Sequence, residues 1–182
     1  PLGLAPAQPY HDEIAAAETR DDINALFATI HHQSPYGVGI IPDPADTTRY
    51  TVFVGQAGLG LPDRDFYLEE DNQSYRDAYL AFIEQIFDLA GMEDGASKAQ
   101  AIFDLEMRIA ETHWSQEDSR DIQKIYNPMP MDQLAALAPQ LNFDAGMEQL
   151  GLDGVATYLV AQPSAIEAAG QIFEETPVDV WQ

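Results

Sequence analysis

Four histidines, His11, His31, His32 and His113, are the side chains best suited to bind a metal or move a proton near neutral pH. A helical zinc peptidase needs the order His-Glu-x-x-His. Spacing i and i+4 brings both imidazoles to one helix face, with the glutamate beside the metal-bound water. None of the four histidines stands in that order. His31 and His32 are neighbours, about 100° apart on a helix, so they chelate together poorly and read as surface or capping residues. His113 lies on the extension of an apolar helix face and reads as structural. With no cysteine and no Gly-x-Ser-x-Gly elbow, a nucleophilic triad has no support.

Three further groups invite a chemical reading. The pair Gly58-x-Gly60 lacks the third glycine and the helix start of a dinucleotide loop. The acidic run Asp63–Asp71 lacks the Asp-x-Asp-x-Asp-Gly order and the terminal Glu of a calcium loop, so it reads as solvated. Glu106 falls between Ile102 and Ile109 on the apolar side of a helix, where a carboxylate is costly unless paired. Arg120, just past the helix end, is its expected partner. An acid/base role for Glu106 would need a second carboxylate or a metal. The residues by themselves assign no catalytic, cofactor-binding or metal position.

The elements that must position these residues centre on Gln56–Leu68, Gln-Ala-Gly-Leu-Gly-Leu-Pro-Asp-Arg-Asp-Phe-Tyr-Leu. Two glycines two apart open backbone conformations closed to other residues, and Pro62 fixes φ and removes a donor. This is a shaped loop leaving a strand. Phe66 and Tyr67 are expected to anchor it in the core, and Arg64, between Asp63 and Asp65, to tie it by hydrogen bonds.

Upstream, Pro1–Pro9 is turn-rich and Tyr10–Ala17 predicts a short helix. Thr19 with Asp22 predicts a capping box for a helix whose face is Ile23, Leu26, Phe27 and Ile30, ending near His31-His32. Gly37–Ile41 and Arg49–Gln56 predict a β-hairpin with a long turn, Pro42–Asp46. Downstream, Ser74 and Asp77 predict the start of a long helix lined by Ala78, Tyr79, Phe82, Ile83, Ile86, Phe87 and Ala90 and stopped by Gly91. A second runs from Ser97, boxed by Gln100, to about Trp114, with Ile102, Leu105, Ile109 and Ala110 buried and Asp104–Arg108 as an outer ion pair. These two should form an antiparallel hairpin. Short helices at Met131–Leu137 and Phe143–Leu150, a strand at Val155–Ala161 and a final helix capped by Ser164 complete the chain. The expected fold is mainly α (α+β): about five to six helices, a small β-hairpin and a third short strand.

Composition bounds the partners. At 182 residues, 46% hydrophobic, the chain is long enough for one domain with a sizeable core. Lys+Arg 8 against Asp+Glu 31 gives a net charge of −23. That argues against a nucleic acid or an anionic membrane as partner, since both require a cationic face. No apolar run approaches the roughly 20 residues of a membrane span, and the start Pro1-Leu2-Gly3 has no signal-peptide character.

Taken together, Gln56–Leu68 resembles the Gly-Leu-Pro-x-Arg-Asp-Tyr-Tyr signature of the neprilysin / endothelin-converting-enzyme family of zinc metalloendopeptidases, in its bacterial branch. Leu105-Glu106 through Ile109-Ala110 resembles that family's L-E-x-x-I-A helix. Arg120-Asp121 resembles its R-D segment, Tyr126-Asn127-Pro128-Met129 its Y-N-x-M segment, and Val160-x-Gln162-Pro163 the strand-to-helix step beyond. Thr176-Pro177 through Trp181 resembles the start of the next helix. Phe66 departs from the usual Tyr, and Phe143 from a common Trp.

The resemblance implies part of the family's largely helical N-terminal region, which caps a catalytic domain and encloses a chamber admitting only peptides of limited size. The family's His-Glu-x-x-His helix, downstream Glu ligand, Asn-Ala substrate strand and late His and Arg do not occur here, so no catalytic or metal residue carries over. The structural signature that does carry over is Gly58, Gly60, Pro62, Arg64, Asp65, Tyr67, Glu106, Arg120, Tyr126 and Asn127. Zinc is implied for the parent enzyme, not for this chain, which should be inactive alone. The start without Met and the stop at Trp181-Gln182 are expected of a fragment of one incomplete domain, residues 1–182. Its partners would be the catalytic domain of the same parent chain and peptide substrates, in a periplasmic or other extracytoplasmic setting. The alternative is an independent acidic helical module that binds cationic peptides or partner proteins.

Overall fold

The structure is a computed structural model that describes residues 3–182. Of the turn-rich start, Pro1 and Leu2 lie outside the described residues, and Gly3–Ala7 is turn. Helix α1 (Gln8–Ala15) precedes α2 (Arg20–Phe27). The capping box forms as expected: the Thr19 hydroxyl accepts from the Asp22 N–H, and the Asp22 carboxylate accepts from the Thr19 N–H. Helix α2 stops at Phe27, short of the histidines, and Ile30 does not extend its buried face but is 88% exposed.

The hairpin is longer and tighter than expected. Strands β1 (Tyr36–Asp43) and β2 (Asp46–Gln56) are joined by Pro44-Ala45 alone, with a register irregularity between Pro42 and Asp43. Pro42 is tolerated because of where its missing donor would point. The Ala57 N–H bonds the Pro35 carbonyl, so Gly37, Gly39 and Ile41 exchange hydrogen bonds with β2 while Val38, Ile40 and Pro42 face away. Proline therefore costs no ladder bond. The hairpin tip is fixed by Asp43, whose carboxylate accepts from the Ala45 N–H and from Arg49.

After β2 the chain makes the Gln56–Leu68 corner, ending in the single-turn α3 (Asp65–Leu68) and a 3-10 turn, Glu70–Asn72. Helices α4 (Gln73–Leu89) and α5 (Gly95–Thr112) form the expected antiparallel hairpin. Their starts differ from expectation. Neither Ser74 nor Ser97 caps: α4 follows Asn72 and α5 follows Asp94, which sits in the left-handed region at φ 63°, and neither supplies a side-chain cap. Arg76, one turn into α4, binds the Phe66, Tyr67 and Glu69 carbonyls, the free C-terminal end of α3. Arg108 does not pair with Asp104. It reaches Glu175 at 2.6 Å and the Thr176 hydroxyl at 3.1 Å, fastening α5 to the end of the last long helix.

The short α6 (Gln116–Arg120) and α7 (Ile122–Ile125) lead to a strand the periodicity does not reveal, β3 (Pro128–Met129). Helices α8 (Met131–Leu137) and α9 (Phe143–Gln149) match expectation, and β4 shrinks to Tyr158–Val160. Helix α10 (Pro163–Glu175) starts after Gln162, with Ser164 accepting from the Trp114 indole rather than capping. The last turn, α11, is Val178–Trp181. The fold is mainly α with a small mixed sheet in the order β1-β2-β4-β3, in which β2 and β4 run parallel and the other pairs antiparallel.

The main core lies between this sheet and α2, α8, α9 and α10, around Ile23, Val54, Leu134, Phe143, Ile166 and Phe173. A smaller core of Tyr67, Phe103 and Ala110 fills the angle between the corner and the α4–α5 hairpin. Leu105, Ile109 and Ile172 join α5 to α10 beside them. Helix α4 is only partly covered. Ile83 is buried and Tyr79, Phe87 and Ala90 are half-buried, but Phe82 is 55% and Ile86 48% exposed, contrary to expectation. The helix packs chiefly on α5 and α3, and its apolar arc is wider than those two cover.

Candidate functional site

The corner is built around backbone positions that only glycine fills. Gly58 has φ +92°, and a Cβ there would meet Pro35 Cα at 2.9 Å. A Cβ on Gly60 would meet the Tyr79 hydroxyl at 1.8 Å and Glu106 Oε1 at 3.2 Å. The loop is thus pressed against the α4–α5 hairpin at Gly60, and that contact is where the buried carboxylate sits.

Glu106 is not paired with Arg120. Its two oxygens accept from phenols: Oε2 from Tyr67 at 2.6 Å and Oε1 from Tyr79 at 2.9 Å. Tyr67, 2% exposed, in turn accepts the Leu61 N–H at 2.9 Å. Arg120 is exposed and donates to Gln116, one turn earlier on its own short helix, because α6 turns it away from α5. Burial pushes the Glu106 carboxyl up, against the opposing pull of Tyr67, Tyr79 and the Gly60 N–H. Burial and the adjacent carboxylate push both phenols up as well. With both oxygens bonded to phenols and no place on the neighbouring groove wall, Glu106 is a structural tie between loop and helices.

Other bonds hold the corner from the sheet side. The Gln56 amide donates to the Trp114 carbonyl at 3.1 Å and accepts the Trp114 N–H at 2.7 Å, so it acts as a backbone substitute. The Gln56 N–H donates to Gln162 at 3.1 Å. His113 Nε2 lies 3.2 Å from the Ala57 carbonyl, which can only accept, so the ring carries its proton there. Burial pulls the His113 pKa down to about 4, with the Arg64 charge adding to the effect. Arg64 donates to the Ala110 carbonyl at 3.4 Å and lies 3.9 Å from Asp65, as the tie expected of it. The Asp65 N–H donates to Asp63, and its carbonyl accepts from Asn72.

The remaining signature residues lie elsewhere. The Asn127 amide donates to the Lys124 and Val160 carbonyls, joining β3 to β4. The Tyr126 hydroxyl adds to the groups that hold the Asp43 carboxyl low, of which the Ala45 N–H is the strongest. Pro62 is exposed at the rim of an open groove of about 850 Å³. The groove is walled by the turn after α2, the length of β1 from Tyr36 to Ile40, the corner, and Trp114. Periodicity placed Tyr79 on the face of α4 but gave no sign of its bond to Glu106, of the Gln56 clamp on Trp114 or of this groove. Among the described residues, no group of three or more His, Asp or Glu side chains is placed to hold a metal ion.

The corner, its two-tyrosine carboxylate and the crossed sheet can be compared with known proteins. A sequence profile of the N-terminal part of peptidase family M13 matches residues 1–182. The chain belongs to peptidase family M13. Among curated M13 relatives, endothelin-converting enzyme 1 of Cavia porcellus is 35% identical over 121 residues, 63% of this chain and 16% of that protein. Endothelin-converting enzyme-like 1 of Rattus norvegicus is 34% identical over 112 residues, 59% of this chain and 14% of that protein. The zinc metalloprotease ZMP1 of Mycobacterium tuberculosis, in complex with an inhibitor, superposes over 99% of this chain with a TM-score of 0.89 at 28% identity. It superposes in its open state with a TM-score of 0.86. This M13 chain spans 29% of the ZMP1 chain and so corresponds to an N-terminal region of an M13 metallopeptidase.

Proposed function

We propose that residues 1–182 are a non-catalytic, incomplete domain of a zinc metalloendopeptidase, shaping the chamber through which peptides reach a catalytic domain elsewhere in the parent chain. The observation that carries this reading is the uncovered face of α4. Tyr75, Phe82 and Leu89 repeat every seven residues, Ile86 lies between the last two, and all four are 48–69% exposed. A contiguous apolar stripe on a soluble surface marks a place where another surface docks. The share of its relatives that the chain spans, 14–16% in the curated proteins, leaves most of such a parent to supply that surface.

In this reading zinc belongs to the catalytic domain, the substrates are peptides, and the parent acts in an extracytoplasmic space. Among the described residues no helix is long and apolar enough to cross a membrane. An independent acidic module for cationic peptides draws on the net charge of −23, but a self-contained module has no use for a bare apolar stripe. The test is peptidase assay of the purified chain, stripped with EDTA and then given zinc. No hydrolysis is expected, while the parent restores it; zinc-dependent cleavage by the chain alone would sink the reading.

A further inference from the structure

The groove beside the corner follows the free edge of β1. Five consecutive residues, Tyr36, Gly37, Val38, Gly39 and Ile40, line it, whereas Val52 and Val54, opposite Ile40 and Val38 on β2, do not. Successive side chains of a strand point to opposite faces, so no single face can present five residues in a row. The space therefore runs along the strand edge. β1 is the outermost strand of the sheet. By the ladder phase set by Ala57 and Pro35, the N–H and C=O groups of Val38 and Ile40 point into the groove, and among the described residues they have no hydrogen-bond partner. The Tyr36 N–H, in the same phase, is already satisfied by the Ser34 hydroxyl, and Pro42 has no N–H to offer. The open stretch is thus bounded at both ends.

An unpaired edge is normally shortened, charged or covered. Here it is uncharged, it carries the exposed Ile40 with the exposed Ile30 on the same groove, and it is interrupted by Gly37 and Gly39, beside which an added strand finds room for its side chains. We propose that β1 is a peptide-docking edge: an extended peptide pairs with the N–H and C=O groups of Val38 and Ile40 and lays its alternate side chains into the groove. The protein's charge of −23 draws cationic peptides at long range, the groove wall itself carrying one acid, Asp63, and one arginine, Arg64. The inference rests on the chamber reading only for the choice of a peptide as occupant.

The test uses the full-length parent protein with hydrolysis suspended by EDTA. The probe is a fluorescein-labelled dodecapeptide of alternating Lys and Val, with two versions N-methylated on either the Lys or the Val residues. One N-methylated series should lose binding about tenfold and the other bind as the parent peptide, because only one edge of a strand faces its partner. Peptide should slow amide exchange at Val38 and Ile40 at least tenfold. Val38→Pro removes an outward N–H and no β1–β2 bond, so it should weaken binding about tenfold while Val38→Ala binds as wild type. Should Val38→Pro fail to fold, the N-methylated series on the wild type decides alone. Equal binding of both N-methylated series, or unchanged exchange at Val38 and Ile40, overturns the proposal. So does strong protection of those two amides before peptide is added, which would mean that the parent chain supplies its own strand. Docking of α4 is read at a different surface, so either idea can fail without the other.

Discussion

Replacing Glu106 by Ala tests whether the two-tyrosine tie holds the corner in place. The change removes the acceptor of the Tyr67 hydroxyl at 2.6 Å and of the Tyr79 hydroxyl at 2.9 Å. Tyr67 is 2% exposed and has no route to bulk water, so its orphaned O–H costs about 1–3 kcal/mol. Tyr79 is half-buried and recovers part of its bond from solvent. Against these losses, the variant no longer buries a carboxyl whose charged form burial disfavours. The net expectation is a loss of about 2–3 kcal/mol, with faster amide exchange at Leu61, whose N–H donates to Tyr67. Glu106→Gln keeps the shape and should stay within about 1 kcal/mol of the wild type at neutral pH. The pH dependence separates these effects. Because burial raises the folded pKa of Glu106, its contribution is fullest below the unfolded carboxyl pKa and declines as pH rises through the folded value. Glu106→Gln should therefore gain on the wild type as pH increases. Urea unfolding at several pH values, with exchange measured at Leu61, makes the comparison. An Ala variant as stable as the wild type, with unchanged exchange at Leu61, would refute the reasoning.

Gly58→Ala should destabilise by about 2 kcal/mol or more in the same unfolding assay, since it combines φ +92° with a backbone clash at Pro35. His113, with its pKa pulled down to about 4, should give stability that is full above pH 6.5 and lost as pH falls through 4, by up to about 3 kcal/mol. His113→Gln should flatten that part of the acid unfolding curve. Paired Phe82→Glu and Ile86→Glu substitutions touch only exposed positions, so they should leave the fold of this region unchanged by circular dichroism while lowering the peptidase activity of the parent protein at least tenfold.

Local periodicity was enough for the α4–α5 hairpin, the Thr19 capping box and the β1–β2 pair, because each depends on neighbours in sequence. It failed where the partner lies far along the chain. Arg120 follows Glu106 closely, yet the tie is made by Tyr67 and Tyr79, which approach only when α3 and α4 pack on α5. Ser74 and Ser97 have capping spacings, but Arg76 packs beneath α4 and Asp94 turns the chain into α5 in the left-handed region. Pro42 reads as a strand breaker until the register shows its nitrogen facing outward. The stripe Phe82–Ile86 reads as core because periodicity reports that a face is apolar, not what covers it. For the candidate site, the glycines and Glu106 were legible as constrained positions, whereas the groove along β1 exists only once the sheet order is known.

The central claim is that the bare face of α4 docks on the rest of a peptidase chain. Placing photoreactive benzoylphenylalanine at position 82 of the full-length parent and irradiating it measures this directly. The account predicts an efficient intramolecular cross-link from position 82 to a segment of the parent chain outside residues 1–182. A probe that reacts only with solvent, or that cross-links only between separate molecules, would contradict it.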